Sequence, residues 1–191
     1  MFSFQIGKTT VDLSLSLIFV FVVIPAVVLI TAIIKIRQMN SMRRMCLSGN
    51  YEKSIVLANR LLTYFTRSYK LFRIKRSESA IESLHVWLSI SYLGLSQYEK
   101  FLEHINKVEQ QPISKYSWLG AYHAIQKDID RLKYCIEQLE LNEDTKNTHA
   151  LFKGIIMCEE GNAVEGKKIL SELLPGLSFE LTRKIVLSYV E

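Results

Sequence analysis

The hydrophobic pattern changes period near residue 35. From Leu13 to Ile34, LSLSLIFVFVVIPAVVLITAII, the chain runs 22 residues without a charge, and sixteen of them are Leu, Ile, Val or Phe. No face of a helix drawn through it is polar, so the segment reads as a rod apolar all round. From Gln38 onward apolar residues recur at three- and four-residue intervals and strand-like alternation is scarce. Turn signals separate these stretches at Ser48-Gly49-Asn50, Gly161-Asn162 and Pro175-Gly176. The pattern predicts an all-α chain.

As a helix, residues 13–34 would be roughly 33 Å long, against ~30 Å for the hydrocarbon core of a bilayer. Its sixteen large apolar residues favour insertion by roughly 5–10 kcal/mol. A soluble body of about 150 residues would have to cover every face of such a rod, which disfavours a core helix. Lys35 and Arg37 follow directly where a cleaved signal peptide would show small residues. A transmembrane helix at 13–34 is therefore expected, with a kink at Pro25 and residues 1–12 as a short extracytoplasmic tail. Only Lys8 and the terminal amine precede the span, whereas Lys35, Arg37, Arg43 and Arg44 follow it. The positive-inside bias then places the C-terminal part in the cytoplasm. Cys46, Cys135 and Cys158 are odd in number and widely spaced, as expected of reduced thiols.

Several adjacent stretches look alike. Leu47-x-Gly49-Asn50-Tyr51-Glu52-Lys53, followed by Ala58 and Leu61, has a short turn, an aromatic opening a helix, then small and apolar residues. Leu95-Ser96-Gln97-Tyr98-Glu99-Lys100 repeats this after Leu88, Ser89 and Tyr92, and Pro112 closes it. Gly154, Gly161-Asn162 and Gly166 precede Leu170, Leu173 and Pro175, and Trp118–Leu139 holds a degenerate copy turning at Asp128–Asp130. Residues 38–175 thus resemble a tetratricopeptide-repeat protein, a stack of antiparallel helix pairs. The resemblance implies an α-solenoid of about four pairs, with Phe179–Val190 as the capping helix and Glu180–Lys184 paired along it. The turns near 49, 96, 130 and 161 lie 47, 34 and 31 residues apart, so the first interval carries an insertion. Gly154 and Gly166 are expected to let paired helices approach closely.

Charge is segregated along the chain. Residues 1–34 are neutral, residues 35–76 hold eleven Lys or Arg against Glu52 alone, and residues 77–191 hold twelve bases against seventeen acids. The division predicts a basic juxtamembrane segment with the first helix pair at 35–76, and the helical-repeat domain with its cap at 77–191. Within the insertion, Leu61, Leu62, Phe65, Tyr69 and Phe72 share one arc of a helix and most of the bases lie outside it. Such a stripe serves a membrane surface or the helix stack equally well. On the first reading Lys35, Arg37, Arg43, Arg44, Arg67, Lys70, Arg73, Lys75 and Arg76 face anionic lipid.

Catalytic patterns are scarce. His85, His104, His123 and His149 are too spread for a local ligand pair, and neither a phosphate loop, a nucleophile elbow nor HExxH occurs. No catalytic residue, cofactor or metal is expected, and nucleic-acid binding is not expected either, because no motif accompanies the basic stretch. Trp87, Tyr92, Trp118 and Tyr122 read as inter-helix core. The expected function is a non-enzymatic, single-pass membrane scaffold presenting a protein-binding groove at the cytoplasmic face, with lipid and protein as partners. The acidic balance of residues 77–191 hints at a basic partner. An extracytoplasmic accessory of protein export, or a non-catalytic subunit of a membrane enzyme, is the alternative; self-association through Val186–Val190 stays open.

Overall fold

The computed structural model describes the backbone of residues 3–6, 9–12, 19–72 and 75–191, and the side chains of 19–70 and 78–191. It divides into two compact units, residues 1–40 and 41–191.

In the first unit Ser3–Ile6 (β1) pairs antiparallel with Thr9–Asp12 (β2), Ser3 opposite Asp12 and Ile6 opposite Thr9. This is the only strand pairing among the described residues. A wide π-helical turn at Phe19–Val23 leads into α1, Ile24–Leu47. Pro25 therefore stands where the π-helical turn passes into α1. Its ring would strike the carbonyl four residues back in a regular α-turn, and the wide turn ahead of it avoids that clash. Among the described residues, Phe19–Leu47 is the one helix long and apolar enough to cross a membrane. Its apolar side chains stand in the open: Phe21 is 71% exposed and Leu29 62%. A core helix would bury them. Residues 13–18 of the expected span lie outside the described residues.

The second unit is built of helices joined by short turns: α2 Tyr51–Phe72, α3 Lys75–Gly94, α4 Tyr98–Ile105, α5 Pro112–Ile125, α6 Ile129–Glu137, α7 Lys146–Glu159, α8 Ala163–Leu173 and α9 Glu180–Val190. A repeated turn organises them. Gly49, Ser96, Lys127 and Gly161 are the residues with positive φ. Each is followed by an amide that donates five residues back: Asn50 to Met45, Gln97 to Tyr92, Asp128 to His123 and Asn162 to Met157, at 2.8–3.0 Å. This is the Schellman closure, which satisfies the last carbonyls of one helix and throws the chain into the next. The four turns are 47, 31 and 34 residues apart. The third thus falls at Lys127, three residues before the turn expected near 130, because Asp128 is the N-cap of α6, its carboxylate accepting the Arg131 amide at 3.2 Å.

The insertion in the first interval lengthens two helices. α2 has 22 residues and α3 has 20, whereas α4 and α6 have 8 and 9. The apolar stripe is thus the second helix of the first pair carried onward. Leu61 is fully buried, Leu62, Phe65 and Tyr69 are half-buried, and the Phe72 side chain lies outside the described residues.

Small residues set the closest helix approaches. A Cβ on Gly94 would stand 2.4 Å from the Tyr51 ring, and one on Gly120 2.5 Å from Phe152. α7 and α8 meet at Gly154 and Gly166, as their sequence positions implied: a Cβ on Gly166 would lie 2.7 Å from the Gly154 carbonyl oxygen. Beneath α1, Met42 and Cys46 are buried, and Ser54 Oγ donates to the Met42 carbonyl at 3.4 Å. Ser91 Oγ lies 3.1 Å from Ser54 Oγ and 3.5 Å from Cys46 Sγ, so a small polar knot joins α1, α2 and α3. Lys127–Glu159 and Lys133–Glu160 ion pairs link the third helix pair to the fourth.

Candidate functional site

α9 does not simply end the stack. It packs on α5, α7 and α8, burying Leu181, Ile185 and Val186. Val186 is thereby committed to the core and is not free to join a second copy. The expected Glu180–Lys184 pair is absent among the described ion pairs; Glu180 instead lies against Gly49, and burial, then Cys46 and Glu180, raises the Tyr51 hydroxyl pKa to about 12. The arm Leu177–Phe179 runs extended into α9. It lays the Phe179 ring between two tryptophans: stacked on Trp87 of α3 at 6.0 Å between centroids, and edge-on to Trp118 of α5 at 4.9 Å.

Beside that ring remains a cavity of about 410 Å³. Trp87, Ile90, Trp118, Ala121, Leu151, Phe152 and Phe179 form its apolar wall; Ser114, Ser117, Asn147, Thr148, Ser178 and Thr182 supply hydroxyl and amide groups. The one charged residue in its lining is Arg43, from the last turns of α1. Its guanidinium carbon lies 5.7 Å from the Trp87 ring centre, and no carboxylate comes within 4 Å of it among the described ion pairs. Concave, mostly apolar and furnished with a few convergent polar groups, it has the make-up of a recognition site; a second cleft of about 570 Å³, lined by Lys127, Glu159, Lys167 and Lys184 among others, lacks an aromatic wall of this kind. Comparison with protein-family models, with curated proteins and with solved structures finds no match. The reading of the site therefore rests on its geometry.

The four aromatics expected in the core divide. Tyr92 is buried and stacks on His104, and Tyr122 meets Tyr98 and Phe101. Trp87 and Trp118 are half-exposed and line the cavity. Their common partner, Phe179, is 61 residues beyond Trp118, so no local pattern could have revealed the slot. The one charged residue of the lining is cationic, whereas residues 77–191 carry an acidic excess.

The nine residues expected at a membrane surface fall on three parts of the chain. Lys35 and Arg37 belong to the first unit; Arg43 and Arg44 lie on the last turns of α1, and Arg43 is drawn to Trp87. Arg67 and Lys70 are exposed, three residues apart on the far half of α2, with no carboxylate partner among the described ion pairs. Lys75 and Arg76 begin α3 with side chains outside the described residues, and Arg73 lies outside them entirely. Lys53 and Arg60, also exposed, lie on the first half of α2.

His85 and His104, dismissed from sequence as too distant, meet across α3 and α4 with Nδ1 atoms 2.9 Å apart. One imidazole must donate and the other accept, so the accepting imidazole is neutral in this contact. Burial, then His104 and Lys107, pulls the His85 pKa from 6.5 down to about 4. No group of three or more metal-ligating residues occurs among the described residues. Cys46 and Cys135 are free and buried, their thiol pKa values pushed up to about 11 by desolvation.

Proposed function

We propose that this chain is a single-pass membrane protein whose helical-repeat body, similar in plan to tetratricopeptide repeats, is an adaptor that binds a protein partner at the cytoplasmic membrane face. The supporting observation is α1. Its first half exposes a continuous apolar surface, yet Met42 and Cys46 in its last turns belong to the core of the helical body. A helix that is apolar throughout its first half suits a membrane anchor. The excess of Lys and Arg after the apolar stretch favours the cytoplasmic side. The bases of the α2–α3 tip add attraction to anionic headgroups, about 1 kcal/mol for each near the surface. The aromatic cavity supplies the recognition surface, and repeated hairpins supply rigidity.

The full-length chain in sealed membranes tests this reading. It resists extraction by alkaline carbonate, and protease added to right-side-out vesicles leaves the body intact. Release by carbonate removes the anchor from the proposal, and digestion of the body places it on the other face. Photo-crosslinking from position 114 at the cavity rim recovers a protein; recovery of none counts against an adaptor.

A further inference from the structure

The arm Leu177–Phe179 occupies the cavity without filling it. Phe179 contacts Trp87 on one side and Trp118 on another, yet about 410 Å³ stays open beside the ring. Unfilled apolar volume forfeits dispersion contacts, so the arm is a partial fit. The charge is incomplete too: Arg43, the one charged residue of the lining, has no carboxylate near it, while the arm offers Ser178 on the same wall. The arm is joined to the body through Leu174-Pro175-Gly176, and no atom lies within 4 Å of where a Gly176 Cβ would be, so the joint is not itself packed.

From these we infer that the C-terminal arm is a resident stand-in for the partner, and that the slot takes a protein segment carrying a bulky aromatic residue with a carboxylate on the residue before it, where the arm has Ser178. The aromatic enters between Trp87 and Trp118, and the carboxylate meets Arg43 in a bidentate, charge-assisted contact. The arm is displaced as the segment binds, so affinity is reduced by the fraction of time the arm holds the slot. This inference rests on the adaptor reading.

The probe is a fluorescein-labelled synthetic peptide copying residues 176–191, used native and with S178E, against the full-length chain in nanodiscs. Both tryptophans of the chain line the slot, so their emission reports occupancy independently. Loosening the resident arm by Phe179→Ala in the chain tightens peptide binding about tenfold or more. The S178E peptide binds roughly five- to fiftyfold tighter than the native one, and Arg43→Gln in the chain erases that difference. If Phe179→Ala abolishes cooperative melting, Phe179→Leu, which keeps apolar bulk, takes its place with a smaller gain. Equal affinity of both peptides for the unsubstituted chain, or no binding to a chain with a loosened, folded arm, overturns the inference. A crosslinked partner that stays bound when Trp118→Ala is introduced overturns the slot while sparing the adaptor. Peptide binding without any crosslinked partner does the reverse.

Discussion

Replacing Gly166 by alanine tests the helix crossing most directly. On ordinary helix propensity Ala would stabilise α8 by about 1 kcal/mol. The structure predicts the opposite sign. The new methyl would stand 2.7 Å from the Gly154 carbonyl oxygen, 2.9 Å from the Cys158 amide nitrogen and 2.6 Å from Cys158 Sγ. The thiol can rotate, but the two backbone atoms cannot. To restore ordinary contact near 3.4 Å, α7 and α8 must separate by several tenths of an ångström around the fully buried Ile155 and Leu170. Overpacking of this kind costs about 1–3 kcal/mol, and rigid neighbours put it at the upper end. After subtracting the propensity gain, about 2 kcal/mol of net destabilisation remains, or ~4–8 °C in melting temperature for a chain of this size. Thermal melts followed by far-ultraviolet circular dichroism, on the full chain in detergent, read it. Gly176→Ala, with nothing within 4 Å, is the control and stays within ~0.5 kcal/mol. A Gly166→Ala chain that melts at or above the unsubstituted temperature would refute the crossing.

Three further outcomes follow from other contacts. Glu82, 8% exposed, accepts the Glu109 and Gln110 amides at 3.0 Å; Glu82→Ala destabilises the α4–α5 connection by about 1–3 kcal/mol, and an unchanged denaturation midpoint would contradict this. The His85 pKa is lowered from 6.5 to about 4, so its neutral form is the folded one: the stability it protects is complete above pH 6.5 and lost as pH falls toward 4. Discounted for its half-exposed position, the loss is on the order of 1 kcal/mol; His85→Asn flattens that part of the acid profile, and an identical profile would count against a neutral His85. Maleimide modifies the half-buried Cys158 at least about tenfold faster than Cys46 or Cys135, whose thiols are buried and raised to about 11. Equal labelling in the native chain would show the first helix pair to be open.

The helical body was legible because its information is local. A glycine or short polar turn, an aromatic opener and apolar residues at helical spacing marked Gly49, Ser96 and Gly161 to the residue. The third turn was placed three residues late because Lys127 carries no turn signature; its left-handed conformation is imposed by the Schellman bond from Asp128 to His123. The elongation of α2 and α3 was visible as a 47-residue interval, although the stripe alone did not say whether protein or lipid covers it. The aromatic slot and the His85–His104 contact were not legible. Each joins residues whose separation in sequence carries no period, and only the folded backbone brings them together.

Charge separates what the sequence average blends. Among the described ion pairs of residues 77–191, Lys127–Glu159 and Lys133–Glu160 tie one hairpin to the next. Surface pairs of this kind contribute little to stability and nothing to a distant partner within a screened solution. The cationic groups behave differently: Arg67 and Lys70 stand unpaired among the described ion pairs, and Arg43 alone brings charge to the slot. A charge already neutralised in the fold cannot select a ligand, whereas one left without a counter-ion can. The one charge in the slot lining is therefore positive, in a unit, residues 41–191, whose 21 Lys and Arg outnumber its 18 Asp and Glu. Raising salt accordingly weakens attachment of the α2–α3 tip to anionic vesicles more than it weakens capture in the slot, because exposed charges are screened and the Arg43 contact is partly shielded by Trp87. Equal salt dependence of the two would show that Arg43 works in open solvent.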